Sequence, residues 1–229
     1  GRACEACNVT LAHTQAEIEA MPNGNVYFNY YSENDVETWR DVISWVAQTL
    51  GGFATINRNG ELEIRHYGTE AIDEVDIFHR DAQGQFSDYI TKYTGISYTD
   101  LAKQTTVYTG AEVDDGSTMN LGSNPFLQTE SQAQIAVATL LDEIAKIRYT
   151  PFKTAMIGNP AYDLGDVVTF GGGLAGTEST CCIQKYVFLF HKNFEISGYG
   201  ANPNLANARS KSDKNIAGLL QNVSGDKMQ

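Results

Sequence analysis

The sequence predicts an α+β protein that is rich in strands and contains a small α/β unit of helix plus hairpin. Three observations lead there. Aromatic residues are 10% of the chain with Tyr far outnumbering Trp, and there are 21 glycines, a composition that leans toward β-structure. Two stretches, 35–50 and 130–149, carry apolar residues at helical spacing. Much of the remainder falls into short runs with strand character, separated by Gly, Asp and Asn turns.

The chain has 229 residues, of which 42% are hydrophobic and 19% charged, so it is long enough and apolar enough for a buried core. Its formal net charge is −12, which argues against tight binding to nucleic acid or to anionic membranes. No apolar run is long enough to span a bilayer, so no membrane anchoring is expected. The start, Gly1-Arg2-Ala3-Cys4, has neither an initiator Met nor a signal peptide and reads as part of something longer.

In chain order, residues 8–31 open with weak helical spacing. After the Pro22-Asn23-Gly24 turn, "NVYFNYY" reads as a strand. The first helix is expected over 35–50, with Val36, Trp39, Val42, Ile43, Val46 and Leu50 on one inward stripe. Asn34 or Asp35 would cap its start, and Gly51-Gly52 would end it. Trp45 falls off that stripe, which leaves two readings: packing against a second element, or exposure to a partner.

A hairpin follows over 53–66. A two-residue Asn59-Gly60 loop would set polar residues against apolar ones. A three-residue loop, Arg58-Asn59-Gly60 with Gly60 left-handed, pairs Ile56 with Leu62 and Ala54 with Ile64 and gives one apolar face, so this register is the expected one. Residues 66–88 are polar and mixed, and a domain boundary is expected near Asp88. The units are then 1–88, 89–200 and a tail or linker over 201–229 that is read as mobile.

From Tyr89 the strands resume in "YITKYTGISYT", "TTVYTGAEV" and "STMNLG". The second helix, 130–149, places Val137, Leu140, Leu141, Ile144 and Ile147 on one face, with a capping box at Thr129–Gln132 and Pro151 just past its end. Further strands are "FKTAMIG", "DVVTF", "STCCIQKYVFLF" and "NFEISGYG". Residues 186–190, with Phe188 at their centre, are apolar on both faces and predict a central, doubly covered strand.

No catalytic constellation emerges. His13, His66, His79 and His191 are scattered, and no GxSxG elbow surrounds a serine. Gly171-Gly172-Gly173 lacks the Lys-Ser/Thr of a phosphate loop. Cys4 and Cys7 form a lone CxxC. Cys181 and Cys182, adjacent on a strand, point to opposite faces and cannot chelate together, so free thiols are expected. No metal or cofactor is predicted, and the chain reads as not an enzyme. The alternative, a cell-wall hydrolase or a carbohydrate- or receptor-binding module, draws on the 28 acidic residues and on the aromatics Tyr27, Phe28, Tyr30 and Tyr31.

"TWRDVISWVAQTLGGFATINRNGELEIRHY" resembles a recurring helix–hairpin segment of phage and prophage tail proteins. "GISYTD" resembles that family's strand before its barrel, and "NLGSNPFLQ" its L-x-x-N-P segment before a helix. "YTPFKTAMIGNPAYDLGDVVTF" resembles its G-N/D-P-x-x-x-x-G-D-x-V run and marks Pro160, Gly165 and Asp166. Residues 178–200 look like the closing hairpin, so the resemblance covers about 35–200. The family is the tail hub or tail-tip protein, often called a tail-associated lysin.

The resemblance implies a β-barrel-like domain over 89–200 carrying the second helix. It implies a homotrimeric hub in the virion tail, made in the bacterial host cytoplasm from a phage or prophage gene. The partners would be a distal tail ring or tail tube protein, with DNA passing through without being bound. The family's N-terminal ring-binding region is missing or truncated, and no peptidase or lysozyme motif is present, so lytic activity is not carried over. The structural and interface candidates are Trp39, Trp45, Gly51, Gly52, Asn59, Gly60, Pro160, Gly165, Asp166 and Phe188.

Overall fold

The computed structural model describes residues 1–28, 38–80, 84–100, 105–110, 116–122, 124–127, 130–172, 178–188 and 194–200. Over these the protein is α+β and β-rich, with four α-helices and thirteen strands. The expected caps at Asn34 or Asp35, the Thr129 end of the second capping box, Tyr30, Tyr31 and the tail 201–229 lie outside the described residues.

Three helices precede the hairpin: α1 (Arg2–Ala6), α2 (Gln15–Ala20) and α3 (Trp39–Thr49). α2 and α3 open with the same device. Thr14 caps Glu17 and Thr38 caps Asp41, each pair exchanging a backbone and a side-chain hydrogen bond. α3 therefore starts at Trp39 and not at residue 35, because Thr-Trp-Arg-Asp is a capping box with Asp in the usual Glu position. Its end is a Schellman motif: Gly51 N–H donates to the Gln48 carbonyl (3.0 Å) and Gly52 N–H to that of Ala47 (2.9 Å). Gly51 sits at φ +78°, which a side chain would resist.

The predicted stripe of α3 does not all face inward. Ala47, Thr49 and Leu50 are buried, while Trp39 is 49% exposed and Val46 is exposed too. The small core here joins Ala47, Leu50 and Ile64 with Ile18, Met21 and Ala54. It is too short to cover the first two turns of the helix.

The hairpin of β1 (Phe53–Ile56) and β2 (Leu62–Arg65) has the expected register, Ile56 with Leu62 and Ala54 with Ile64. Its three-residue loop carries Gly60 at φ +80°, and Asn57 Oδ1 accepts from the Asn59 and Glu61 amides at 2.9 Å each. Leu62 and Ile64 are buried, but Ile56 at the loop end is 55% exposed, so the apolar face is covered only in part. Nothing lies within 4 Å of where a Gly60 Cβ would stand. Gly60→Ala therefore meets only left-handed backbone strain and is expected to cost about 1 kcal/mol. Urea denaturation checks this, and a cost of several kcal/mol would reveal a contact that the hairpin does not display.

The next two cores lie among the remaining strands. β3 (Ala71–Val75), the 3-10 turn Ile77–His79 and β4 (Gln85–Phe86) come from the polar stretch that gave no strand signal. β5 (Thr91–Asp100) runs between β6 (Thr105–Gly110), antiparallel, and β7 (Ser117–Asn120), parallel. α4 (Glu130–Ile144) packs on this sheet through Ala133, Ala136, Val137, Leu140 and Ile144, against Ile96 and Tyr98. α4 ends five residues before the predicted 149. Ile147 still faces the core from a turn, and β8 (Arg148–Tyr149) pairs with the start of β5.

The last unit has two sheets. β10 (Val167–Phe170) lies between β3, parallel, and β11 (Ser179–Cys182), antiparallel. β9 (Phe152–Met156) and β13 (Phe194–Gly198) lie between β4 and β12 (Lys185–Phe188). They enclose Val75, Phe152, Met156, Val168, Phe170 and Ile196, among others. Among the described residues neither sheet closes into a barrel. The two are joined at seams: Arg80 bridges Met156, Ile157 N–H donates to the His79 carbonyl (2.9 Å), and Gln184 N–H donates to that of Ser197 (3.0 Å).

β12 corrects one expectation. Among the described residues it is an edge strand and not a doubly covered central one, and residues 189 and 190 of the expected run lie outside them. Tyr186 and Phe188, on one face of it, are exposed.

Candidate functional site

The hairpin and the loop before β10 meet in an ionic cluster. Arg65 reaches Asp166 (3.0 Å) and Asp163 (3.3 Å), and Arg58 reaches Asp163 (3.1 Å). The loop is set for this by its own bonds. Asp163 N–H donates to Asp166 Oδ2 (2.7 Å), and Gly165, at φ +91°, donates its N–H to the Ile183 carbonyl (2.7 Å). A Cβ on Gly165 would stand 3.1 Å from the Phe53 ring, so glycine lets the loop come close to the hairpin. Gly68 N–H closes the contact on the Gly165 carbonyl (2.8 Å). A cleft of about 320 Å³ lies alongside, lined by Ile56, Asn57, Arg58, Asn59, Asp163 and Tyr186, among others.

Thus Asn59, Gly165 and Asp166, three of the residues singled out in the sequence, come to one place. Pro160 is exposed just before the same loop. Trp39 and Phe188 are on the surface elsewhere, and Gly51 and Gly52 form the helix stop. Trp45 is half-buried, and its carbonyl accepts from Thr49 Oγ1 (2.7 Å) and Asn124 Nδ2 (3.2 Å).

Two buried asparagines hold α3 in place, Asn23 against α4 and Asn124 against the segment that leads into α4, and sequence reasoning missed both. Asn23 Nδ2 donates to the carbonyls of Thr49 and Ala136 at 3.0 Å each. Asn124 Nδ2 faces Gln48 Oε1 (2.8 Å) and Thr49 Oγ1 (3.3 Å), while its Oδ1 accepts from Phe126 N–H (3.0 Å). Pro22-Asn23-Gly24 was visible as a turn and Asn124-Pro125 as part of the segment before the second helix, but neither local pattern discloses a long-range clamp.

The nucleophile-bearing side chains are deeply placed. Cys181 lies in the core between the two sheets and Cys182 in the core beneath α4, on opposite faces of β11 as adjacent strand residues must be. Burial pushes the Cys181 thiol up and the Cys182 thiol up to about 12, so both are protonated at neutral pH. Among the described residues, no three His, Cys, Asp or Glu side chains group as a metal site.

Burial also raises the phenols of Tyr149 and Tyr162. Tyr162, which donates to Asp73 Oδ2 (2.6 Å), is pushed up to about 12. A raised tyrosine favours folding fully below its ordinary value of 10, and that contribution is lost as pH rises through the folded value. The Cys182 thiol, raised by burial from an ordinary value of 9, adds a loss that begins lower. The urea midpoint is therefore expected to hold from neutral pH to about 8 and to fall between about 9 and 12. A flat profile across that window would contradict this.

Among solved structures, the chain is similar to the 43 kDa tail protein of prophage MuSo2 from Shewanella oneidensis, with a TM-score of 0.50 at 10% identity, covering 88% of this chain and 62% of that one. The fold is similar to that of a prophage tail protein. A tail protein from Neisseria meningitidis matches with a TM-score of 0.43 at 9% identity, over 77% of this chain and 60% of that one. Prophage tail protein gp18 from Listeria monocytogenes matches with a TM-score of 0.37 at 14% identity, over 73% and 56%. The chain thus spans 62% of the first of these solved proteins and less of the other two. No protein-family profile and no curated protein sequence matches the chain. The tail-protein resemblance noted in the sequence therefore holds at the level of fold. Within that tail-protein fold, the ionic cluster joins the helix–hairpin unit to the paired sheets.

Proposed function

We propose that this chain is a structural, non-enzymatic part of a phage or prophage tail baseplate, contributing to a homotrimeric hub at the distal end of the tail tube. The observation that carries this reading is the fold similarity to a prophage tail protein over 88% of the chain. In this reading the two seamed sheets act as a barrel-like module, and the Arg65–Asp166 cluster fixes the helix–hairpin unit to it. The partners are a distal tail ring or tail tube protein, and the location is the virion tail. The net charge of −12 suits a conduit through which DNA slides without sticking.

The test is to express the full-length protein that contains this chain, measure its mass in solution and image it by electron microscopy together with the adjoining tube or ring proteins. A threefold particle at the tube's end with a lumen that is not basic is expected. A full-length monomer that ignores those proteins would overturn the reading.

A further inference from the structure

We infer that the free edge of β12 pairs, antiparallel, with the same edge of a second copy of this chain. It is independent of the hub reading, since a same-edge pair is twofold and does not join neighbours around a threefold ring, and it rests on the chemistry of one strand. Among the described residues β12 is bonded to β13 on one side and is the outermost strand of its sheet on the other. Tyr186 and Phe188 lie opposite Ile196 and Phe194 and share their face, with ring centroids 5.8 and 5.9 Å from that of Phe194. Ile196 and Phe194 are core, yet Tyr186 is 42% and Phe188 61% exposed. The apolar face of the core thus runs one strand beyond its cover.

A second edge in the same unit shows what protection looks like. β3 has a register shift in its pairing with β10, carries Asp73 and Glu74, and spends the Glu74 N–H on Asp73 Oδ1 (2.8 Å). A copy of β3 laid against it would set acid against acid. Such bulges and charges are how natural sheets refuse edge pairing. β12 has no bulge in its pairing, no proline and no acidic residue; of the protective devices it has only its shortness and Lys185 at its first position.

The occupant follows from the strand's own sequence. Centred on Val187, an antiparallel pair sets each Tyr186 opposite the second copy's Phe188 and Val187 opposite itself. Aromatic and β-branched cross-strand pairs are favourable ones. The only charges, the two Lys185, fall at opposite ends of the pair, so no like charges meet.

The experiment uses the whole chain with exposed Cys7 changed to Ser, and reads sedimentation over a wide concentration range. A monomer–dimer equilibrium is expected, weakened at least tenfold by Phe188→Lys. In the same background, Val187→Cys is expected to give a covalent dimer on mild oxidation. Glu195→Cys, one strand further in on the same face, is expected not to do so. A monomer at every concentration without a Val187→Cys cross-link overturns the inference. So does a trimer without that cross-link, which would leave the hub reading standing. Because the cross-link reads geometry directly, the inference stays testable even if Phe188→Lys fails to fold.

Discussion

Phe170→Ala is expected to destabilise the protein by about 3–5 kcal/mol, the range for deleting a fully buried ring. Phe170 is 1% exposed and ends β10 between the two sheets of the last unit. The rings of Phe86 and Phe152 lie with centroids 5.1 Å away, and the Arg80 guanidinium stands 5.7 Å from its own. The cavity left behind cannot collapse readily. β9 and β10 are each held in place by hydrogen-bonded neighbours on both sides, and the seam at Arg80 and Met156 ties one sheet to the other. Ile72→Ala makes the control. Ile72 is exposed on β3 of the same sheet, and its truncation should shift stability by no more than about 0.5 kcal/mol. Urea unfolding of both variants, with m-values compared, reads the difference. Equal losses would mean that Phe170 does not carry the packing assigned to it.

The contrast between those two residues also marks what the sequence could reveal. Where one face of a strand is buried, alternation shows it. Leu62 and Ile64 in β2, and Phe152, Thr154 and Met156 in β9, stand in phase and are buried together. The hairpin register was legible for the same reason, since only one loop length brings Ile56 and Ala54 to the apolar partners that the structure displays. β3 was not legible. Only Val75 of its five residues is buried, and an edge strand that faces water on both sides has no alternation to read.

Helical periodicity located α3 but not its cover. The moment of a helix says that one face is apolar, not that anything lies against it, and Trp39 and Val46 are the result. The β12 expectation failed by the same logic. At the ionic cluster, local grammar flagged Gly165 and Asp166. Arg65, the partner of Asp166, lies 101 positions earlier, and no local pattern links the two.

Asn124→Ala is expected to cost about 2–4 kcal/mol, because it leaves a cavity at a fully buried site and takes the partner from half-buried polar groups. Asn124 is fully buried where the chain turns toward α4. The Gln48 amide that faces it cannot turn over freely, since its Nε2 already donates to the Leu121 carbonyl (3.1 Å). Without Asn124, Gln48 Oε1 loses its donor and Phe126 N–H its acceptor.

Asn124→Asp separates this account from simple volume loss. The aspartate keeps the acceptor for Phe126 but turns a carboxylate oxygen toward Gln48 Oε1 and the Trp45 carbonyl, both acceptors. At neutral pH it should be at least as damaging as alanine despite its matching shape. Its folded state resists ionisation, so the carboxyl is raised above its ordinary value near 4, and the deficit relative to wild type should shrink as pH falls through the folded value. For a chain of this size each kcal/mol moves the melting temperature by about 2–4 °C, so calorimetry at pH 7 and pH 4 resolves the difference. An aspartate variant as stable as wild type at pH 7 would mean that the clamp between α3 and the segment before α4 works by shape alone.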